Sequence, residues 1–422
     1  MLRTYLRFVL QSVLGMLGLS VYILADTFFI ANYIGADALA ALNLALPVYG
    51  IINGTGLLIG IGGATRYTIC RTRKSGSCGS AFSGSLLLAA AAALVFVCAG
   101  LFFSDSIARL LGASGGVLEP ATVYLRVCCL FSPLFLLNNI LVAFTRNDNA
   151  PGRGMAAMLI GSFANIVMDW YLVCIAGMGM FGAVLATGMS PVFGIAVCLC
   201  RRRGYRPARA GIFAEIPQIF GAGFSAFVGE LSSTVVILVF NYLLLALAGN
   251  TAVAAYGIIA NVALVATAML TGAAQGAQPL FSRAFAGGDA GALRRLTRWG
   301  ACTALLLGAA FSAAALLLPD AIVSVFSRGD AALTALAVPG LTLYFTNYLF
   351  SGVSLLFTAR LAATERAKPA ALLSLLRGVV LVVPCALLGA AAGGVTGLWL
   401  AVPAAELLTL IAGLLLVRRK SR

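Results

Sequence analysis

The chain has 422 residues, of which 61% are hydrophobic and only 10% charged, and its mean hydropathy is +1.03. A water-soluble protein of this length needs far more charge on its surface, so the composition excludes a soluble enzyme or binding module. It predicts an all-α integral membrane protein, with length for about twelve helices of roughly 20 residues. Histidine is absent, which excludes histidine metal ligands and histidine-based catalysis.

Continuous apolar runs rich in leucine and alanine predict twelve membrane-spanning helices. In chain order they cover residues 6–32, 39–68, 81–103, 121–145, 154–176, 178–201, 212–248, 252–284, 294–317, 334–362, 368–391 and 393–418. Residues 8–25 could imitate a signal peptide, but the run continues through Asp26 without a small-residue cleavage site. Short glycine turns, at 177–179 and 393–394, are predicted to join the fifth helix to the sixth and the eleventh to the twelfth. Prolines inside the helices predict kinks, at Pro47, Pro133, Pro191, Pro279, Pro384 and Pro403.

The second half of the sequence repeats features of the first half at a nearly constant spacing. The matched pairs are residues 35–41 with 249–255, 103–107 with 318–322, glycines 179 and 182 with 394 and 397, and 201–203 with 418–420. Two similar membrane halves are a usual architecture for a transporter, which holds its substrate near the midplane. We therefore predict two six-helix repeats: an N-terminal lobe over 1–203, a cytoplasmic linker over 204–214 and a C-terminal lobe over 215–422.

The net charge of +15 could suggest a nucleic-acid partner, but the placement of the basic residues argues against one. Of 28 Lys and Arg residues, 24 lie at the two termini and in every second connection between helices. This is the positive-inside pattern. It predicts a multi-pass membrane protein with both termini in the cytoplasm, and no nucleic-acid partner. Cys70 and Cys78 then fall near a cytoplasmic loop, where thiols stay reduced.

Four of the thirteen acidic residues lie inside predicted spans: Asp26, Asp169, Glu230 and Glu406. A charge in hydrocarbon is costly, so each is a functional hypothesis by default. A helix rises about 1.5 Å per residue. Counted from the predicted helix ends, Asp26, Asp169 and Thr187 all lie in the outer half of the bilayer at similar depth. Asn165 shares a helix face with Asp169, four residues later.

Two carboxylates with an amide and a hydroxyl group suit two kinds of coupling ion. The carboxylates could share a proton, or the oxygens could ligate Na⁺. The alternative is a hydrogen-bond cluster that only holds the first half together. Neither acid is repeated in the second half, because the matching positions lie near Phe240 and Pro384. Such an asymmetry is expected of a site carried by one half of a symmetric scaffold.

Glu230 and Glu406 are candidates for a substrate site or a second-lobe ion site. A carboxylate facing a central cavity could attract a cationic substrate or carry a proton. The alternative for Glu230 is a pair with Arg377 or a hydrogen bond across helices, and for Glu406 a pair with Arg377.

An ordered set of motifs resembles the multidrug and toxic compound extrusion (MATE) transporters, closest to the bacterial MepA-like group. These are Leu-Ala-Asp-Thr-Phe-Phe at 24–29, Gly-Ala-Asp-Ala-Leu-Ala-Ala-Leu-Asn at 35–43, Arg-Asn-Asp-Asn-Ala-Pro at 146–151, 157–169 ending in Asn165 and Asp169, and Gly-Met-Gly-Met-Phe-Gly-Ala at 177–183. The resemblance covers essentially the whole chain.

The resemblance implies a drug exporter that works by alternating access in exchange for H⁺ or Na⁺, as a monomer and without a cofactor. It implies that Asp26, Asn139, Asn165, Asp169 and Thr187 match the coupling-ion site of the DinF-like branch. Glu230 resembles the second-half glutamate of the NorM-like branch. The implied cargo is a small organic cation or another amphipathic compound.

Two other functions are weighed against this one. A lipid-linked oligosaccharide flippase of the same superfamily would need a cationic cavity for pyrophosphate, whereas the interior charges here are mostly acidic, with Arg377 the main exception. A membrane-embedded enzyme could use Gly-Ala-Ser-Gly-Gly at 112–116, which fits the nucleophile-elbow pattern. That segment follows a helix rather than a strand and has no histidine base, so a surface turn is favoured and no enzyme is predicted.

Overall fold

A computed structural model describes residues 1–74, 78–200, 207–208, 210–327 and 330–418. Within these ranges the chain is helical and forms no strand. The basic repeat at 201–203, its partner residues 419–420 and residues 204–206 and 209 of the predicted linker lie outside the described residues.

Fifteen α-helices make up almost all of the described chain. They are α1 Leu2–Phe29, α2 Ala36–Arg73, α3 Gly79–Leu110, α4 Leu118–Leu130, α5 Ser132–Asn147, α6 Pro151–Asp169, α7 Gly179–Leu199, α8 Ile212–Ala286, α9 Ala290–Leu317, α10 Pro319–Ser327, α11 Ala331–Phe345, α12 Tyr348–Ala363, α13 Ala367–Leu375, α14 Val382–Trp399 and α15 Ala401–Arg418. Three π-helical segments extend or interrupt spans, at Ile30–Ile34, Trp170–Ile175 and Leu376–Val380.

These elements correspond to the twelve predicted spans. Eight apolar helices are long enough to cross a membrane, and two bent pairs, α4 with α5 and α11 with α12, each supply one more. The long helix α8 is two helices joined at a break, where Ala248 and Gly249 leave helical geometry. The shorter apolar segment Ala401–Val417 forms the last span. The prediction of an all-α membrane protein with twelve spans is therefore confirmed.

Glycines with positive φ stand at the turns that the repeat marks. Gly35 (φ 121°) precedes α2, and Gly249 (φ 70°), its match in the second half, divides α8. Gly177 and Gly179 separate the fifth and sixth spans, and Gly394 (φ 57°) breaks α14 between the eleventh and twelfth. Because glycine has no Cβ, it adopts these left-handed conformations without strain, so the chain can reverse direction in two or three residues.

The bends of the fourth and tenth spans also repeat. α4 meets α5 at 50° and α11 meets α12 at 45°. α4 ends at Leu130 and α11 at Phe345, which are matching positions of the two halves. Pro133, a predicted kink, stands at the start of α5, where its missing N–H removes no helical hydrogen bond.

The chain forms two compact units. The N unit comprises Leu6–Glu230, and the C unit comprises Met1–Tyr5 with Leu231–Arg422. The N unit has apolar cores that include Ile30, Tyr124 and Phe144, and the C unit has one built on Phe240, Tyr256 and Trp399. The units divide at Glu230, so the start of α8 belongs to the N unit; the lobe boundaries predicted from the repeat, at 203 and 215, stay a prediction.

Candidate functional site

Two buried carboxylates lie together in the N unit. Asp26 near the end of α1 is 7% exposed, and Asp169 at the end of α6 is fully buried. Their carboxyl groups are close enough to interact electrostatically. Among the described residues, Oδ1 of each has no hydrogen-bond partner. A buried acceptor without a partner costs free energy, so both oxygens are available to a bound ion or proton.

Asn165 and Thr187 complete this group. The Asn165 side chain is fully buried, and with its amide nitrogen turned towards Asp169 it donates to Oδ2 at 3.0 Å and accepts from the Thr187 backbone N–H at 3.3 Å. In the opposite orientation the nitrogen donates to the Thr187 hydroxyl at 3.4 Å. We name Asp26, Asn165, Asp169 and Thr187 the acid cluster. The first orientation satisfies the amide at both ends, so Asn165 fixes one oxygen of Asp169 and leaves the other open.

A π-helical segment begins next to each acid. Ile30–Ile34 follows α1 shortly after Asp26, and Trp170–Ile175 follows Asp169 directly. The two segments pack against each other and against α7, which carries Thr187. π turns add a residue to a helical turn and occur often at functional sites. Here they help to bring the two acids and Thr187 to one place.

Tyrosines that sequence reasoning missed surround the acid cluster. Tyr22 lies one turn before Asp26 and within electrostatic range of Asp26, Asp169 and Glu230. Its hydroxyl lies 3.2 Å from that of Tyr49 on α2. Tyr124, 3% exposed, is also within electrostatic range of both acids. The i to i+4 spacing of Tyr22 and Asp26 was the one available signal, because such residues share a helix face.

Glu230 anchors a second polar group in the N unit. Asn53 Nδ2 donates to Glu230 Oε1 at 2.9 Å, and Asn139 Nδ2 donates to Asn53 Oδ1 at 3.1 Å and to the Phe135 carbonyl. We name Asn53, Asn139 and Glu230 the amide–glutamate cluster. The structure thus groups Glu230 with residues of the N unit, and Asn139 bonds within this cluster rather than within the acid cluster. The ion-binding and substrate-binding roles of both residues stay predictions.

Glu406 forms an ion pair inside the C unit. Its Oε1 accepts from Arg377 Nε at 3.0 Å and from a second guanidinium nitrogen at 2.7 Å. Glu406 is 4% exposed, and its Oε2 has no hydrogen-bond partner among the described residues. Arg377 lies in the third π-helical segment, Leu376–Val380. The pairing considered as the alternative for Glu406 is thus the observed one, whereas Glu230 takes the alternative of a hydrogen bond across helices.

The acid cluster can hold a proton or a small hard cation. Two carboxylates and the oxygens of Asn165 and Thr187 are the ligand types that such cations prefer. A site for a softer metal is a poorer fit, because no group of three or more acidic or cysteine side chains forms within the ranges that the structure describes.

Comparison with known proteins agrees with this architecture. The MatE family model matches residues 12–171 and 225–388. The chain is 28% identical to a Staphylococcus saprophyticus protein described as "Multidrug export protein MepA", over 98% of this chain and 92% of the relative. It is equally identical to the protein of that description from Staphylococcus aureus strain MRSA252, over 98% and 93%.

Solved structures share the fold. A MATE crystal structure in complex with MaL6 has a TM-score of 0.91 at 20% identity, covering 98% of this chain and 94% of that one. An outward-facing multidrug resistance MATE transporter of the MOP superfamily has a TM-score of 0.90 at 21% identity, with the same coverage. The family model covers more than half of the chain, and the chain therefore belongs to the MatE family, a family of membrane transporters rather than enzymes.

Proposed function

We propose that this protein is a multidrug efflux transporter that exports organic cations or other amphipathic compounds in exchange for H⁺ or Na⁺. The acid cluster binds the coupling ion, and no other cofactor takes part. The protein lies in the bacterial cytoplasmic membrane as a monomer with both termini in the cytoplasm, as the positive-inside pattern predicts.

The observation that carries this proposal is the pair of open carboxylate oxygens. Oδ1 of Asp26 and Oδ1 of Asp169 are both buried without a partner among the described residues, and the two acids repel each other while both are charged. An arriving proton or Na⁺ removes that repulsion and satisfies both oxygens. Ion binding therefore changes the stability of the packing between α1 and α6, which is the physical basis of coupling.

The π-helical segments connect the change in packing to the shape of α1 and α6. Ile30–Ile34 begins four residues after Asp26, Trp170–Ile175 directly follows Asp169, and the two segments pack on each other. π-helical turns occur mostly as single-turn bulges inside α-helices, and often at functional sites. We propose that ion binding changes the packing of these segments and that alternating access follows from the resulting bend of α1 and α6.

A cationic cargo fits the charges that the structure leaves unpaired. Glu230 bonds to the amide of Asn53 and forms no ion pair among the described residues, so its carboxyl group can interact with a cationic cargo. Arg377, the main cation inside the spans, is neutralised by Glu406. A lipid-linked oligosaccharide flippase would need a free cation for pyrophosphate, and the Arg377–Glu406 pair weakens that alternative. The relatives described as multidrug export proteins support the same choice.

The test is efflux of ethidium from liposomes that contain the purified protein, under an imposed pH or Na⁺ gradient. We expect one gradient to drive efflux, which names the ion, and Asp26→Asn to abolish the driven component. Asp37→Asn is the matched control, because Asp37 is an exposed acid in the first turn of α2.

Efflux that Asp26→Asn leaves at the wild-type rate would overturn the assignment of the acid cluster. The absence of ethidium movement under both gradients, together with translocation of a lipid-linked sugar, would overturn the efflux function in favour of the flippase.

A further inference from the structure

Two thiols meet at the ends of α2 and α3. Cys70 lies in the last turn of α2, Cys78 caps the start of α3, and their sulfur atoms are 2.9 Å apart. The two residues are half-buried and are not joined by a disulfide. This separation is shorter than an ordinary contact between sulfur atoms and about 1 Å longer than a disulfide bond.

Local backbone geometry turns the chain back to make this contact. Lys74 adopts left-handed φ and ψ (53°, 33°) directly after α2, and its N–H donates to the Cys70 carbonyl. This is the usual way in which a helix ends with a residue of positive φ. The helix thus stops within four residues of Cys70, and Cys78 returns to it as α3 begins.

Packing between α2 and α3 holds the two helix ends in place. At Gly63 of α2 an added Cβ would stand 1.9 Å from the Ser85 hydroxyl of α3, so the helices approach each other at a position that only glycine allows. Arg71, next to Cys70, pairs with Asp148 at the end of α5. The two helix ends that carry the thiols are therefore held by contacts on both sides.

We propose that Cys70 and Cys78 are a reversible redox modification site, a dithiol that a peroxide converts to an intrachain disulfide. One thiol loses its proton, and the thiolate attacks hydrogen peroxide: the O–O bond breaks, a sulfenic acid forms, and the leaving hydroxide takes up the proton as one water. The second thiol attacks that sulfur, forms the S–S bond and releases the sulfenic oxygen as another water. Overall the two thiols lose two electrons and two protons, and hydrogen peroxide takes them up and becomes two waters. A small-molecule dithiol reverses the step by thiol–disulfide exchange.

The location of Cys70 and Cys78 suits a site that responds to oxidants. The positive-inside pattern puts this end of α2 in the cytoplasm, where the dithiol is the resting form and a disulfide forms only under oxidant. Arg71, Arg73 and Lys74 are exposed beside it, so reagents in water have access. By contrast, the adjacent thiols Cys128 and Cys129 of α4 are buried in the N unit.

The test is mass spectrometry of the full-length protein in detergent before and after treatment with hydrogen peroxide. We expect a loss of two hydrogens, a Cys70–Cys78 cross-linked peptide and full reversal by dithiothreitol. Cys70→Ser should abolish the cross-link, whereas Cys128→Ser should leave it intact. Phenylarsine oxide, which bridges two nearby thiols, should add once to wild type at this pair and not to Cys70→Ser.

The same reagents can also give results that contradict the proposal. If, after peroxide, N-ethylmaleimide still labels Cys70 and Cys78 independently, and phenylarsine oxide does not bridge them, the proposal is overturned. A peroxide-dependent loss of two hydrogens that persists in Cys70→Ser would likewise place the reactive pair elsewhere.

Discussion

Arg377 and Glu406 neutralise each other inside the C unit, and their ion pair is the residue-scale feature with the clearest energetic consequence. Both guanidinium contacts reach the same carboxylate oxygen, at 3.0 and 2.7 Å. Removing one partner leaves the other charge buried, which costs ~3–5 kcal/mol, whereas removing both with apolar residues of similar volume is close to neutral. We expect Arg377→Met to lower the melting temperature in detergent strongly and Arg377→Met/Glu406→Leu to restore most of it.

A double-mutant cycle of melting temperatures measures this coupling directly. Additive losses in the two single variants and the double variant would contradict the pair, since a coupled pair gives a double variant that is more stable than the sum predicts.

The hydrogen bond between Asn53 and Glu230 makes a second residue-scale prediction. Asn53→Asp sets two carboxylates 2.9 Å apart in place of a donor and an acceptor, so we expect lower stability and lower transport. Asn53→Asp/Glu230→Gln exchanges the donor and the acceptor, restores the hydrogen bond and should recover the melting temperature. If this double variant recovers its melting temperature but not its transport, the negative charge is required at position 230 itself.

If Asn53→Asp alone melts like wild type, the amide–glutamate cluster is not formed as described. The sequence could locate Glu230, because an acid in an apolar run is conspicuous. It could not locate Asn53 as its partner, since the two are 177 residues apart and nothing in a sequence encodes that contact.

At the scale of helices, the twelve spans could be predicted because each apolar run is long and bounded by glycine, proline or basic residues. The π-helical segments could not be predicted from the sequence. A five-residue piece such as Ile30–Ile34 is too short for its altered period to appear against the surrounding helix. The break of α8 was predicted by the repeat of Gly35 at Gly249, where propensity alone suggests one long helix.

Backbone contact between α2 and the first part of α8 makes an element-scale prediction. An added Cβ at Gly223 would stand 1.8 Å from the Leu58 carbonyl oxygen, and one at Gly62 would stand 2.1 Å from that of Ile219. Backbone cannot move aside as a flexible side chain can, so Gly223→Ala forces the helices apart. Overpacking of this kind costs ~1–3 kcal/mol. We expect a lower melting temperature.

Gly257→Ala is the control, because Gly257 lies in the second part of α8 and has nothing within 4 Å of an added Cβ. It should melt like wild type or slightly higher, since alanine favours helix. Equal destabilisation of both variants would mean that the close approach of α2 and α8 does not determine the effect.

At the scale of the whole molecule, the repeat governs the backbone but not the acids. The glycine turns and the bends at Leu130 and Phe345 recur at matching positions of the two halves. Near the position that matches Asp26, the C unit has Phe240, fully buried against Tyr256 with ring centroids 5.0 Å apart. The sequence predicted this asymmetry, because a single acidic residue in an apolar run can be recognised without knowing its neighbours in space. It did not predict that Glu230 would group with the N unit.

That asymmetry predicts that ion coupling depends on the N unit alone. Arg377→Met/Glu406→Leu removes the ion pair inside the C unit and should keep efflux driven by the same gradient as wild type. Asp169→Asn should lose the driven component, because it removes one of the two open carboxylates in the acid cluster. Both variants are first shown to melt near wild type, and ethidium efflux is then measured at several gradient sizes.

A double variant that folds but no longer responds to the gradient would place part of the coupling in the C unit. A gradient response retained by Asp169→Asn would remove Asp169 from the coupling site.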